Sequence, residues 1–146
     1  MDNKEFKLNF DKLLKGQGYK KKGNVWKKET SELLKMIELQ KSNFRNLYYL
    51  NFGFNFNNLD YSEVRSHIVN RLGGRNPEEN TFIDVTLDLE NDMSDEKRKL
   101  SIQKLLNEIL IPQIEQINSE SDVLNELKSR SHLNDIPIKV KAYLKL

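Results

Sequence analysis

The chain has no cysteine, which excludes disulfides and thiolate metal centres. Its only histidines are His67 and His132, too few for a histidine-rich metal site. No cofactor is expected. No stretch approaches the ~18 apolar residues a membrane span needs. The opening MDNKEFKLNF lacks the apolar run of a signal peptide. The expectation is a cytoplasmic protein with no membrane partner. Net charge is scarce as well: 24 basic against 22 acidic residues leave +2. That balance is too even for charge alone to imply nucleic acid. No internal repeat or low-complexity linker divides the 146 residues. The length fits one domain over 1–146, able to bury roughly two-thirds of its unfolded surface.

What is present is pattern. Phe6, Phe10, Leu13 and Leu14 recur at helical spacing, and Gly16 and Gly18 follow, so residues 3–15 are expected to be helical. YKKKGNVWKK (19–28) reads as a tight hairpin. Its Gly23-Asn24 turn has glycine first, as a type II′ turn prefers. In that register Lys21 faces Trp26 and Lys20 faces Lys27. Tyr19, Lys21, Trp26 and Lys28 then share one side, and Lys20, Lys22, Val25 and Lys27 the other. ELLKMIELQK (32–41) is expected to be the next strand.

NLYYLNFGFNFNN (46–58) holds five aromatic residues in thirteen. Tyr48, Leu50, Phe52, Phe54 and Phe56 alternate with Tyr49, Asn51, Gly53, Asn55 and Asn57. Period-two alternation gives one apolar and one polar face. Nucleic-acid platforms carry aromatics on an exposed face beside basic residues. Here the aromatic face also carries Leu50 and the opposite face carries asparagines. The aromatics are therefore read as core, packed against helices.

Further along, 61–66 reads as a helical turn, 67–72 as a short strand and LGGRNPEEN (72–80) as a loop. TFIDVTLDLE (81–90) reads as a strand with Ile83, Val85, Leu87 and Leu89 on one face. Ile102, Leu105, Leu106, Ile109 and Leu110 mark a helix that Asp92 or Ser94 caps and Pro112 kinks or ends. SESD (119–122) offers a capping box for another helix through Leu127. The tail IPIKVKAYLKL alternates and reads as an edge strand, with a terminal helix over 132–146 as the alternative. The fold class expected is α+β: an antiparallel sheet of about four to six strands, with N-terminal and C-terminal helices mainly on one face.

The segments LLKGQGYKKKGNVWKK, IELQKS, YYLNFGFNF, SHIVNRLGG and IPQIEQINSESDVLNEL occur in that order. Together they resemble a bacterial family catalogued as domain of unknown function 4304, over roughly residues 5–128. The resemblance implies no catalytic residues. Members often have a tryptophan-rich stretch after the Arg-Leu-Gly segment, where this chain has Thr81-Phe82-Ile83-Asp84 without tryptophan. In size such families resemble the immunity proteins that neutralise bacterial toxins.

Catalysis needs convergent groups. Asp84, Asp88 and Glu90 on one strand face are candidates for magnesium. His67 near Glu63 is a candidate base. Gly73-Gly74-Arg75 is a weak anion cradle. Each also has an ordinary structural reading, and no metal or catalytic residue is assigned. Two surfaces remain. One is the polar sheet face of Glu38, Gln40, Tyr49, Asn51, Asn55 and Asn57, rich in amides suited to adaptable contacts. The other is the lysine hairpin, with Lys20, Lys22 and Lys27 outward; the acidic stretch 84–96 or solvent screening is the expected neutraliser. The function favoured is a non-enzymatic protein-interaction domain, with a toxin-immunity role as its narrower form. The alternative is a nucleic-acid-binding accessory using the lysine hairpin. A metal-dependent hydrolase comes third.

Overall fold

The computed structural model describes residues 1–146. Helix α1 (Asn3–Gly16) starts at Asp2, whose carboxylate accepts the Glu5 amide at 2.8 Å. That satisfies one amide the first turn leaves free. Gly18, at φ +90°, turns the chain into the sheet. Five strands follow: β1 (Lys20–Lys22), β2 (Val25–Glu29), β3 (Leu33–Lys41), β4 (Tyr48–Phe56) and β5 (Ile68–Arg71). They pair antiparallel in the order β1-β2-β3-β4-β5. Gly23 alone in the first hairpin has positive φ, at 64°. One positive φ at the first turn position is the type II′ signature. Lys20 faces Lys27 and Lys21 faces Trp26, the register the hairpin sequence implies.

Register sorts the sheet into two faces. Trp26, Ile37 and Phe52 lie in one cross-strand row with Asn70. Their side of the sheet carries Tyr48, Leu50, Phe54 and Phe56, all buried. The helices lie against this side. Phe6 of α1 stacks on Tyr48 at 5.1 Å, and Asp11 accepts the Trp26 indole N–H at 3.0 Å. The aromatic stripe is core.

The C-terminal half supplies the rest of the helical layer: α2 (Pro77–Leu87), α3 (Asp95–Lys104), α4 (Ile111–Glu115), α5 (Glu120–Lys128) and α6 (Ile138–Leu144). A π-helical turn, Leu105–Leu110, joins α3 to α4. Pro112 does not end the helix. The preceding turn widens instead, which relieves the clash of its ring with the carbonyl four residues back. Ser94 caps α3, and Ser119 with Asp122 forms the capping box of α5.

Four local expectations are corrected. The loop expected over 72–80 stops at Asn76, because residues 77–80 already belong to α2. Residues 81–90 are not a strand: most of that segment lies in α2. Asn76 accepts the Glu79 amide at 2.9 Å and Pro77 occupies the first turn, a start signal that overrides the alternation. Ile83, Thr86 and Leu87 are the residues it buries, at helical spacing. The tail is the terminal helix α6 rather than an edge strand, with Ile136 and Val140 buried four apart. Residues 61–66 hold no helical turn, only a bend at 63–65.

Gly53 marks where the sheet is tightest. A Cβ there would lie 2.5 Å from the Ile68 carbonyl oxygen and 2.9 Å from Ser66 Oγ. Gly53→Ala is expected to displace β5 and cost about 1–3 kcal/mol, as overpacking does. A urea titration of the variant checks this, and an unchanged midpoint would show that β5 gives way freely.

Candidate binding surface on the second sheet face

No helix covers the second face; the 62–66 segment lies on part of it. One cross-strand row there runs Val25, Glu38, Asn51, Arg71, and the next runs Lys20, Lys27, Met36, Gly53, Val69. The polar face and the lysine hairpin are therefore one continuous surface. Glu38 pairs with Arg65. Asn51 donates to Gln40 Oε1 at 2.8 Å. Arg71 donates to the same oxygen at 3.0 Å and stacks over the Tyr49 ring at 4.0 Å. Beside this network is a groove of about 340 Å³, whose lining includes Val25, Met36, Gly53, Val69 and the Glu38–Arg65 pair. Val69 is 50% exposed.

The structure thus brings Glu38, Gln40, Tyr49 and Asn51 together. It gives Asn55 and Asn57 other work. Asn55 accepts the His67 amide at 2.7 Å and donates to the Arg65 carbonyl, fastening the 62–66 segment. Asn57 lies beyond β4 and donates to the Thr30 carbonyl at 3.1 Å. Sequence reasoning missed Arg65, Arg71, Met36 and Val69. The last three follow from the register once β5 is paired; Arg65 lies in a segment with no repeating pattern.

The lysine hairpin is not neutralised by residues 84–96. Asp88 and Glu90 pair with Arg45, at 2.9 and 3.5 Å, and Asp95 pairs with the Met1 ammonium. Lys28 bonds Glu115, and Lys21 sits over the Trp26 ring at 5.7 Å. Lys20, Lys22 and Lys27 have no ion pair among the salt bridges of the fold.

Among the remaining candidates, His67 and the 73–75 segment take structural roles. His67 is buried between the rings of Phe56 and Tyr61. Its Nδ1 accepts the Phe56 amide at 3.0 Å, so Nε2 carries the proton and donates to the Tyr61 carbonyl at 2.8 Å. Both nitrogens are occupied. His132 is exposed after α5. Gly74 donates its amide to Asn80, and Arg75 pairs with Glu79, so the 73–75 segment is turned onto its own helix. Asp84 and Asp88 lie at a helical i, i+4 spacing in and just past α2, not along a strand.

One group escaped the sequence reading entirely. Lys35 belongs to the core face of β3, between Leu33 and Ile37, and is 0% exposed. Its ammonium reaches Glu115 Oε2 at 3.3 Å and Asn118 Oδ1 at 2.7 Å. Glu115 also accepts from Tyr19 Oη and Lys28 Nζ, each at 3.2 Å. Burial pushes the Lys35 ammonium below its ordinary range, against the pull of Glu115. Burial pushes the Glu115 carboxyl up. The bond from Lys28 and the charge on Lys35 outweigh that and hold it below 4.5. A lysine at an apolar position of an alternating strand was the available signal.

Other carboxyls are held low in the same sense. Arg75 holds Glu79 at about 2. The Trp26 indole lowers Asp11, and the Asn118 amide lowers Asp122. A group depressed in the fold binds its proton first in the unfolded chain, so its contribution is present above the unfolded value and lost as pH falls through the folded one. The urea midpoint is therefore expected to fall from about pH 4.5 downwards. A flat midpoint from pH 5 to pH 3 would contradict it.

A model of the family described as Domain of unknown function (DUF4304) matches residues 10–116, and the chain belongs to that family. The match contains all five strands and stops one residue past Glu115. No curated protein and no solved structure matches the chain.

Proposed function

We propose that this member of the DUF4304 family is a non-enzymatic protein-interaction domain that docks its partner on the second face of the sheet. The observation that carries the reading is the groove of about 340 Å³ with Val25, Met36 and Val69 in its lining. Asn51 lines it as well, and Gln40, Arg71 and Tyr49 lie beside it as a polar rim, the first two hydrogen-bonded to each other and Tyr49 stacked against Arg71. An apolar centre with a polar rim is the usual anatomy of a specific interface, and tyrosine and arginine are frequent anchors there. A toxin that the domain covers and neutralises is the narrower form of the partner.

The test places charge in the groove without touching the internal network. Val69→Glu sits on the proposed surface. Ile138→Glu, at a site 83% exposed on the helical side, is the control. A partner captured by the wild type is expected to be lost with Val69→Glu and kept with Ile138→Glu, an unpaired charge costing an interface several kcal/mol or more. Loss with both variants, or with neither, contradicts this docking face. Growth protection against a co-encoded toxin tests the narrower form.

A second reading, a nucleic-acid accessory, rests on the unpaired Lys20, Lys22 and Lys27. Its mark is a binding constant that falls steeply with salt.

A further inference from the structure

Beside the first hairpin lies a concavity of about 400 Å³ lined by Gly18, Glu29 and Leu34 and by five lysines: Lys20, Lys21, Lys22, Lys27 and Lys28. Glu29 is the only acidic residue of that lining. Lysines on β1 have an ordinary explanation, because positive charge guards an edge strand against pairing with other chains. That explanation does not reach Lys27. β2 is paired on both sides, to β1 and to β3, so Lys27 guards no edge. It instead faces Lys20 directly, and like charges opposite one another are destabilising. Lys28, also on β2, is accounted for by Glu115 at 3.2 Å. No carboxylate forms an ion pair with Lys20, Lys22 or Lys27, and Glu29 is the one acidic group that lines the same concavity.

We infer that this concavity binds a short chain of phosphate groups, such as a tripolyphosphate. Three uncompensated ammonium groups on adjacent positions of one hairpin match an anion of several negative charges in a compact space. Lysine acts on phosphate as an adaptable point charge and needs no fixed fork geometry. The volume lies within the range of small-ligand sites, roughly 300–1,000 Å³. A nucleic-acid strand fits less well. Its bases would need exposed aromatic rings to stack on, and both aromatics of the hairpin, Tyr19 and Trp26, are buried in the core. The site recognises charge and length of the chain, not a base. It stands apart from protein docking, since the anion binds the domain alone.

Calorimetric titration with sodium tripolyphosphate, orthophosphate and a single-stranded oligonucleotide tests the assignment. The expected result is one tripolyphosphate per chain, bound more tightly than orthophosphate and weakened by added salt. Lys20→Gln and Lys27→Gln are each expected to weaken it about fivefold, the size of one charged contact near 1 kcal/mol. Glu29→Gln is expected to strengthen it, and Lys128→Gln, on α5, to change nothing. Lys20, Glu29 and Lys128 are exposed and Lys27 is half-buried, and circular dichroism confirms that each variant folds. Binding indifferent to Lys20 and Lys27, or no tighter for tripolyphosphate than for orthophosphate, overturns the inference. Tighter binding of the oligonucleotide also overturns it, in favour of the nucleic-acid reading. None of these failures bears on the Val69→Glu experiment.

Discussion

Phe54→Ala is expected to lower the unfolding free energy by about 3–5 kcal/mol, the usual loss when a buried phenylalanine is truncated and leaves a cavity. Phe54 is 1% exposed and lies within β4, paired on both sides. Its ring meets Phe52 edge-on at 6.2 Å, and it pairs across the sheet with Lys35 and Ile68. The site cannot collapse easily, because the strands on both sides are fixed by ladder hydrogen bonds. For a domain of typical stability, about 5–15 kcal/mol, such a loss removes a large share of the total. A fall of about 10 °C or more in melting temperature follows at this chain length. Trp26, the only tryptophan and itself buried, reports the transition by fluorescence. Phe52→Ala belongs to the same class but should cost somewhat less, since Phe52 is more exposed and borders the groove. Wild-type melting in both variants would mean that the aromatic stripe is a binding platform and not the core.

The half of the fold that alternation controls was legible in the sequence. Tyr48 to Phe56 and the Lys20–Lys27 register could be read because one face must be apolar, and a slip by one residue would bury the asparagines. Ile83 to Leu89 misled for a related reason. Four apolar residues at even spacing satisfy a strand, yet Ile83 and Leu87 also fall at helical i, i+4 spacing, and the cap at Asn76 with Pro77 decides between them. The tail repeated the ambiguity with Ile136 and Val140. The candidate site was legible only in part. Glu38, Gln40, Tyr49 and Asn51 follow from strand parity. Arg65 comes from a segment without periodicity, and its place over Glu38 depends on Asn55 and His67 fastening that segment. Strand parity also puts Lys35 on the core face, but its partner Glu115 is 80 residues away. No local pattern couples two positions at that distance.

Glu115→Gln is the second large effect expected, a loss of about 2–4 kcal/mol. The substitution keeps the side chain's shape and removes its charge. Lys35, with no solvent exposure, is then left with the Asn118 amide oxygen and a neutral acceptor. Removing one partner of a buried ion pair typically costs about 3–5 kcal/mol because the other charge stays uncompensated. The lower figure reflects the Glu115 side chain, which is 32% exposed and lets solvent screen part of the pair. Lys35→Met behaves differently. Methionine keeps the unbranched chain and needs no counter-charge, and such replacements of buried ions are often neutral or stabilising. The double variant Lys35→Met/Glu115→Gln should therefore recover most of what Glu115→Gln loses, and the cycle isolates the coupling. If Glu115→Gln melts with the wild type, solvent reaches the lysine and the pair carries little energy. If the double variant is as unstable as Glu115→Gln, the loss lies instead in the bonds from Tyr19 and Lys28, and Glu115 serves to anchor the first hairpin to the helical layer.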